Sequence, residues 1–394
     1  MRSSHAYLLF TATLLTALGY GATFLMTEHF RTLGGSEIET GKTLFGAMVG
    51  TLVGVPLVGW FAGRLGAARM ASLGALLVAI GYALIAAQTA ISPLLTIAGL
   101  FIGLGWGAFY LAAPLALSGR VTDQDRGFWF LRFGVFQMSG IGLSPIASTA
   151  LINHLGLSTA AAFSVIAGAC AVASAMLFSF EVISPRPRAA QNTEESTAWV
   201  RALPALVRSR ALFPILMVGL GASVFTGLMT FQTSLIRGTT LEAGTYFGAY
   251  AITVVGSRFF LAPTLTKADS DRMAVLLLVL MSLGVGLAFG FPAGVLVQLA
   301  SAITLGLGYG LVYSIIQTQA VNDAPSPLRS AALTWFVIAY FVGIFGFPML
   351  GGWLIVHIGN HWFLVVVLSL ALAELALALI RLAGRQKKVV SAAQ

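Results

Sequence analysis

Gly103-Leu104-Gly105-Trp106-Gly107-Ala108-Phe109-Tyr110 returns 203 positions later as Gly306-Leu307-Gly308-Tyr309-Gly310-Leu311-Val312-Tyr313. The same register, without a gap, pairs Glu39 with Glu242, Gly41 with Gly244, Arg69-Met70-Ala71 with Arg272-Met273-Ala274, and Arg126 with Arg329. Further along it pairs Pro145 with Pro348, and Ile152, His154 and Gly156 with Ile355, His357 and Gly359. A constant offset held over that length marks a duplicated unit. Solenoid repeats run to about 20–50 residues, so this one reads as two homologous half-domains.

The composition says where such a chain lives. It is 58% hydrophobic and 9% charged, whereas soluble domains carry about a quarter charged residues. A water-facing exterior cannot be built from it, so the chain is expected to be an integral membrane protein. A membrane-crossing helix needs about 20 apolar residues. Twelve such stretches are found: 6–28, 43–63, 70–89, 94–117, 127–151, 158–181, 211–235, 245–265, 273–292, 294–320, 331–355 and 361–382. The 44 glycines suit close helix packing in lipid, where small residues let backbones approach.

The net charge of +9 raises the question of a polyanionic partner, and its placement answers it. With twelve spans and a cytoplasmic N-terminus, 17 of the 22 Lys and Arg fall on the cytoplasmic side. Only Arg31, Lys42 and Arg237 face outward, while Arg132 and Arg258 lie inside predicted helices. That is the positive-inside bias that orients a protein in its bilayer. Nucleic acid is therefore not an expected partner, and both termini are expected in the cytoplasm.

Arg2 followed by an apolar run to Ala22 has the outline of a signal peptide. Gly19-Tyr20-Gly21-Ala22 is echoed by Gly219-Leu220-Gly221-Ala222, a shift of 200, so the first helix is read as part of the first bundle. The single cysteine, Cys170, excludes a disulfide framework and thiol-rich metal sites. The long polar interruption, 182–210, separates an N-terminal bundle, 1–181, from a C-terminal bundle, 211–394. Within it, 198–209 forms either a surface amphipathic helix with Trp199, Leu203 and Val207 toward lipid, or a partly ordered tether.

Parallel six-helix repeats with a solute site near the midplane describe one transporter architecture, and the sequence resembles the major facilitator superfamily over nearly its whole length. The local signature is Gly59-Trp60-Phe61-Ala62-Gly63-Arg64-Leu65-Gly66-Ala67-Ala68-Arg69. Gly59, Arg64, Gly66 and Arg69 match the family's loop between the second and third helices, but Gly63 stands where the family has an acid. The resemblance implies a gating role for these four. Lys267 and Arg272 stand opposite Arg64 and Arg69 in the second half. The plain alternative is that all four bases only set topology. Gly140-Ile141-Gly142-Leu143-Ser144-Pro145, repeated as Gly343-Ile344-Phe345-Gly346-Phe347-Pro348, resembles a degraded antiporter motif. A proline kink serves any rocking transporter, however.

The resemblance further implies that helices one, four, seven and ten line the cavity. Trp106 and Tyr110 then face Tyr309, Tyr313 and Gln317 at one depth, suited to stacking on a planar or amphipathic solute. The alternative is that these rings fill space against the glycine stripes. Tyr20 and Thr23, with Thr226, Thr230 and Gln232, are further candidates, although buried hydroxyls often bond to their own helix. A charge at the bilayer centre costs about 2.5–3.5 kcal/mol or more and by default marks function. Arg258 and Arg132 are therefore substrate-binding candidates, with structural use and snorkelling as the alternatives. Val55 and Trp335 occupy their repeat positions, so neither arginine is a relic of duplication.

Acids are scarce. Glu28 closes the first helix, Glu374 lies in the peripheral twelfth, and no Asp or Glu falls in the centre of helices one, four, seven or ten. His154 and His357 are read as interfacial anchors. No nucleotide loop, metal-ligand spacing or catalytic triad stands out, so neither an enzyme nor a cofactor is expected. The leading expectation is an all-α, twelve-helix secondary active transporter of the cell inner membrane, monomeric, moving a small organic anion or amphipathic metabolite by alternating access. A proton or a counter-transported solute is the coupling candidate. The alternative is a proton-coupled exporter of drugs or cations, an antiporter with Glu28 carrying the proton. A transporter-shaped receptor or scaffold is the third reading.

Overall fold

The computed structural model describes residues 3–122, 125–184, 198–265 and 269–392, and they are helical almost throughout. The chain divides into two compact units, Met1–Ser196 with Pro348–Gly352, and Thr197–Phe347 with Trp353–Gln394. The first is built from α1 (His5–Thr32, with a 3-10 turn at Thr23–Leu25), α2 (Glu37–Leu65), α3 (Ala67–Ala86), α4 (Leu94–Ser118), α5 (Arg126–Leu155) and α6 (Thr159–Ile183). The second begins with a linker helix, Ala198–Val207, and continues through α7 (Leu212–Thr230), α8 (Ala243–Leu265) and α9 (Ser270–Ala288). It closes with α10 (Val295–Asp323), α11 (Ser326–His357) and α12 (Asn360–Ala392).

Each of the twelve expected spans is thus a helix. Among the described residues, eleven are long and apolar enough to cross a membrane; the remaining one, α8, is a 23-residue helix that carries Arg258. Local chemistry sets several boundaries. Ser36 caps α2 through a capping box with Glu39, which returns a bond to the Ser36 N–H at 2.8 Å. Such a box satisfies two of the donors a helix start leaves free. Ser158 accepts from the Ala161 N–H at the start of α6, and Asp269 accepts from the Asp271 and Arg272 N–H groups at the start of α9. Large apolar side chains such as Ile252, Phe259, Phe260 and Leu296 point outward, which water would punish and hydrocarbon does not.

The repeated glycine run is a packing seam with two faces. Gly103 and Gly107 of α4 meet the backbone of α2 at Ala47 and Thr51, while Gly105 turns to α3, where a Cβ would stand 2.8 Å from the Val78 nitrogen. From the other side, a Cβ at Gly50 or Gly54 of α2 would stand 2.5 Å from the α4 backbone at Leu104. In the second unit Gly308 meets the α9 backbone, 2.5 Å from the Met281 nitrogen. Gly306 and Gly310, by contrast, meet β-branched side chains of α8, Thr253 and Val254. The α2–α4 contact is therefore backbone on backbone, and its counterpart α8–α10 is cushioned by side chains.

The structure corrects the register of the first helix in each half. Tyr20 stacks on Trp106 in one unit and Phe225 stacks on Tyr309 in the other, which sets Tyr20 opposite Phe225, a shift of 205. Gly140 packs on Leu14 and Ala17 as Gly343 packs on Gly219 and Ala222, which gives the same shift. The expected offset of 200, read from Gly-x-Gly-Ala, is a coincidence of small residues; large rings and helix crossings fix the true one. The Gly/Pro echo also resolves differently in the two units. α5 runs through Pro145 as α-helix, whereas α11 inserts a π segment, Val342–Gly346, just before Pro348. One extra residue in a turn is a known way to accommodate a proline ring that clashes with the preceding turn.

The linker helix is ordered and docked. Trp199, Ala202 and Leu206 line its inner stripe against α11, where the Trp335 Nε1–H donates to the Trp199 carbonyl at 2.9 Å. Trp199 thus faces protein, not lipid as expected, because it shares the i, i+3, i+7 stripe of the docked residues. Leu203 and Val207 do remain exposed, together with Val200.

Candidate functional site

Because Gly103, Gly105 and Gly107 commit two faces of α4 to α2 and α3, Trp106 is turned to α1. Its ring lies on Tyr20 at 5.1 Å between centroids and 15° between planes, with Phe109 stacked at 5.7 Å and Tyr110 tilted at 6.1 Å. Phe24 abuts Tyr20 edge-on at 5.7 Å. Trp106 is 1% exposed, and its Nε1–H has no hydrogen-bond partner among the described residues. A buried donor without a partner costs about 1–3 kcal/mol. Tyr110 is half-buried. Thr23 bonds to the Tyr20 carbonyl of its own helix.

The second unit builds a related group from different residues. Tyr309 stacks on Phe225 at 4.6 Å and 4°, and Tyr250 of α8 joins Phe225 at 5.5 Å. Arg258, about two turns further along α8, donates its Nε–H to the Gly310 carbonyl at 3.0 Å. The arginine is therefore tied to α10 at the residue next to Tyr309. The arginine and the stacked pair thus share one short stretch of α10, Tyr309-Gly310. Tyr313 is held away from it, edge-on to Phe336 and Tyr340 of α11 at 5.4 and 5.3 Å. Gln317 is half-buried one turn beyond Tyr313. On α7, Thr226 and Thr230 share a hydroxyl contact at 3.2 Å, whereas both amide atoms of the fully buried Gln232 lack partners among the described residues.

Arg132 takes a different course. It is exposed, and its guanidinium lies over Phe128 at 4.2 Å and Trp129 at 5.9 Å, both one turn back on α5. A cation over an aromatic face gains about 0.5–1 kcal/mol at an exposed site, enough to park the charge locally.

Flanking the turn between α2 and α3, Gly59 and Arg64 near the end of α2 and Arg69 in the first turn of α3 are exposed, and among the described residues neither arginine forms an ion pair. Gly66 adopts φ 93°, which L side chains rarely adopt. A Cβ there would also stand 2.6 Å from Glu181 Oε1. Glu181, at the end of α6, pairs with Arg120 from the end of α4 at 2.5 Å. An acid thus does reach this turn, supplied by α6 instead of by the loop position that Gly63 occupies. Sequence reasoning missed this pair because 61 residues separate its members.

The equivalent end of the second unit carries a larger network. Arg381 of α12 donates Nε–H to Asp271 at 2.7 Å and pairs through Nη1 with Asp323. Gln319 adds a bond to Asp271 at 3.0 Å. Asp323 stands 203 positions after Arg120 and Arg381 stands 200 after Glu181, with the sign of charge reversed at both. Asp323 shares the repeat register with Arg120, but Arg381 lies three positions off it, where Gly384 stands opposite Glu181, so the register pointed to only one member of each pair. Arg272 is exposed, and Lys267 lies outside the described residues.

Glu28 is half-exposed and paired with Arg31 at 3.6 Å, and Arg31 also holds Glu37. Glu374 is the contrasting acid, at 1% exposure. Among the described residues no group of three or more His, Cys, Asp or Glu is placed to hold a metal.

Two bundles of apolar helices, related by duplication and each packing its fourth helix on its first through stacked rings, define a polytopic membrane transporter fold. The Major Facilitator Superfamily model matches residues 9–348. The chain belongs to that superfamily. It is similar in structure to the nucleoside transporter NupG in a mutant form, with a TM-score of 0.76 and 16% identity over 96% of this chain and 99% of that one. The POT family transporter PepTSo gives 0.76 at 14% identity over 99% of both chains. An auto-inhibited POT family peptide transporter gives 0.73 at 14% identity over 96% of each. No curated protein sequence matches.

Proposed function

We propose that this chain is a secondary active transporter that moves a small organic anion or zwitterionic, partly aromatic metabolite by alternating access. The observation that carries the reading is the bond of Arg258 to the Gly310 carbonyl, one residue after the Tyr309 that stacks on Phe225. A guanidinium offers planar, bidentate bonding to carboxylate or phosphate, and a ring pair offers a π-face. Trp106, Tyr110 and Tyr20 supply a second aromatic surface with an open N–H, and Tyr313 and Gln317 extend the α10 face. Arg132 lends positive charge from α5. The similar structures include a nucleoside transporter and a peptide transporter.

The four residues Gly59, Arg64, Gly66 and Arg69 act as the gate, with Gly66 seating Glu181 under the turn. The distribution of Lys and Arg supports a cell inner membrane location with cytoplasmic termini, and the chain works as a monomer. A counter-transported solute or a proton drives it. The test is a thermal-shift screen against organic acids, nucleosides, peptides and cationic dyes, followed by counterflow of each hit in proteoliposomes. Counterflow of an anionic or zwitterionic hit that is lost in Arg258→Ala supports the reading; counterflow confined to cations, or unchanged in that variant, sinks it.

A further inference from the structure

Glu374 is the most deeply buried of the described acids, and it is treated unlike the others. Glu181, Asp271 and Glu37 each meet an arginine. Glu374 meets none, and its Oε2 has no hydrogen-bond partner among the described residues. The carboxyl lies on α7 at Gly221, where a Cβ would stand 2.7 Å from Oε2 and 2.9 Å from Oε1. Of the helices packed against α12, α7 carries no ionisable side chain, and α9 carries Asp271 and Arg272 in its first turn. On α12 itself the nearest ionisable residue is Arg381, two turns on and already held by Asp271 and Asp323.

A carboxylate at this depth, with no cation and no donor, carries the penalty of an uncompensated buried charge. The site is stable when the group holds a proton. A carboxylate that loses it must leave the α7 surface for water or a partner. We propose that Glu374 is a proton-binding site of this protein, in which uptake of one proton converts the carboxylate to a neutral acid that seats on Gly221, and release of that proton unseats it and loosens α7 from α12. This deepens the transporter reading by naming the proton as the coupling ion, and it rests on that reading only for what the movement is used for.

Infrared difference titration of the full-length protein in nanodiscs tests the site directly. The expected result is the carbonyl band of an un-ionised, weakly bonded carboxylic acid that Glu374→Gln removes. A wild type without the band, or a variant that keeps it, overturns the proposal. Gly221→Ala is the second variant: pressing a methyl on the carboxyl is expected to shift the band, and an unshifted band overturns the seating on α7. Hydrogen exchange of residues 212–230 in acidic and alkaline buffer, corrected for the intrinsic rate, reads the coupling. Protection is expected to fall at high pH in the wild type and to stay constant in Glu374→Gln; the same response in both overturns the link. None of these measurements needs a solute, so an intact band with no flux counts against transport alone, and flux with no band counts against the proton site alone.

Discussion

Arg120 and Asp323 occupy one place in two copies of the same fold and carry opposite charges. Each is answered by a residue of opposite sign on the sixth helix of its unit, Glu181 and Arg381. The duplication has thus kept an ion pair at this end of both bundles and exchanged its polarity. What is retained is the tie between the fourth and sixth helices and not either residue. In the first unit α4 and α6 both end here, and their last carbonyls need partners: Arg120 also bonds to the Ala116 and Ser184 carbonyls.

Removing one member of such a pair leaves a charge with little access to water. Arg120→Ala and Glu181→Ala are each expected to lower stability by about 3–5 kcal/mol, seen as a fall in melting temperature in detergent. The exchanged variant Arg120→Glu with Glu181→Arg is expected to recover most of the loss. No recovery means that the backbone bonds of Arg120, and not the charge pair, hold this end together.

Gly103→Ala is expected to be more damaging than Gly306→Ala. Its methyl runs into the α2 backbone, which has nowhere to go, whereas the Thr253 side chain opposite Gly306 can adjust. Overpacking costs about 1–3 kcal/mol and more where backbone must move. Parallel thermal melts of the two variants decide the order; equal losses mean that the second unit's seam is as rigid as the first.

Trp106→Phe separates stability from transport. It deletes a buried N–H that has no partner, so stability is expected to hold or rise, by up to about 1 kcal/mol. If the N–H serves a solute, affinity in counterflow falls about tenfold or more while the melt does not. A variant that transports normally places Trp106 among the packing residues.

Trp335→Ala removes both the indole bond to Trp199 and the ring contact. Limited trypsin cleavage after Arg201, which is exposed on the linker helix, is expected to accelerate severalfold, because cleavage follows local opening. Cleavage at the wild-type rate means that Ala202 and Leu206 suffice to hold the helix.

Much of the fold is legible in the sequence, since a bilayer permits little besides apolar helices of sufficient length. The twelve spans follow from that, and the duplication from the constant offset of 203. The finer register does not. Gly19-Tyr20-Gly21-Ala22 resembles Gly219-Leu220-Gly221-Ala222, yet only the rings of Tyr20 and Phe225, set against Trp106 and Tyr309, identify the true counterparts. The aromatic candidates are found in clusters, but each ring leans mainly on its own bundle, a preference no spacing expresses. Arg120–Glu181 and the Arg381 network escape sequence reading because their members come from different helices, and a linear scan sees only isolated charges near helix ends.

The backbone-to-backbone fit of α4 with both α2 and α3 has a mechanical consequence. Three rods in contact at glycine cannot shear without forcing main-chain atoms through one another, so they form a keel. α1, which carries a 3-10 turn at Thr23–Leu25, meets that keel through side chains, Tyr20 on Trp106 and Gly19 against a Val78 methyl. The Tyr20–Trp106 stack sits where α1 meets that keel, and a solute that parted those two rings would press α1 away from it at a contact made of side chains, which can adjust where main chain cannot.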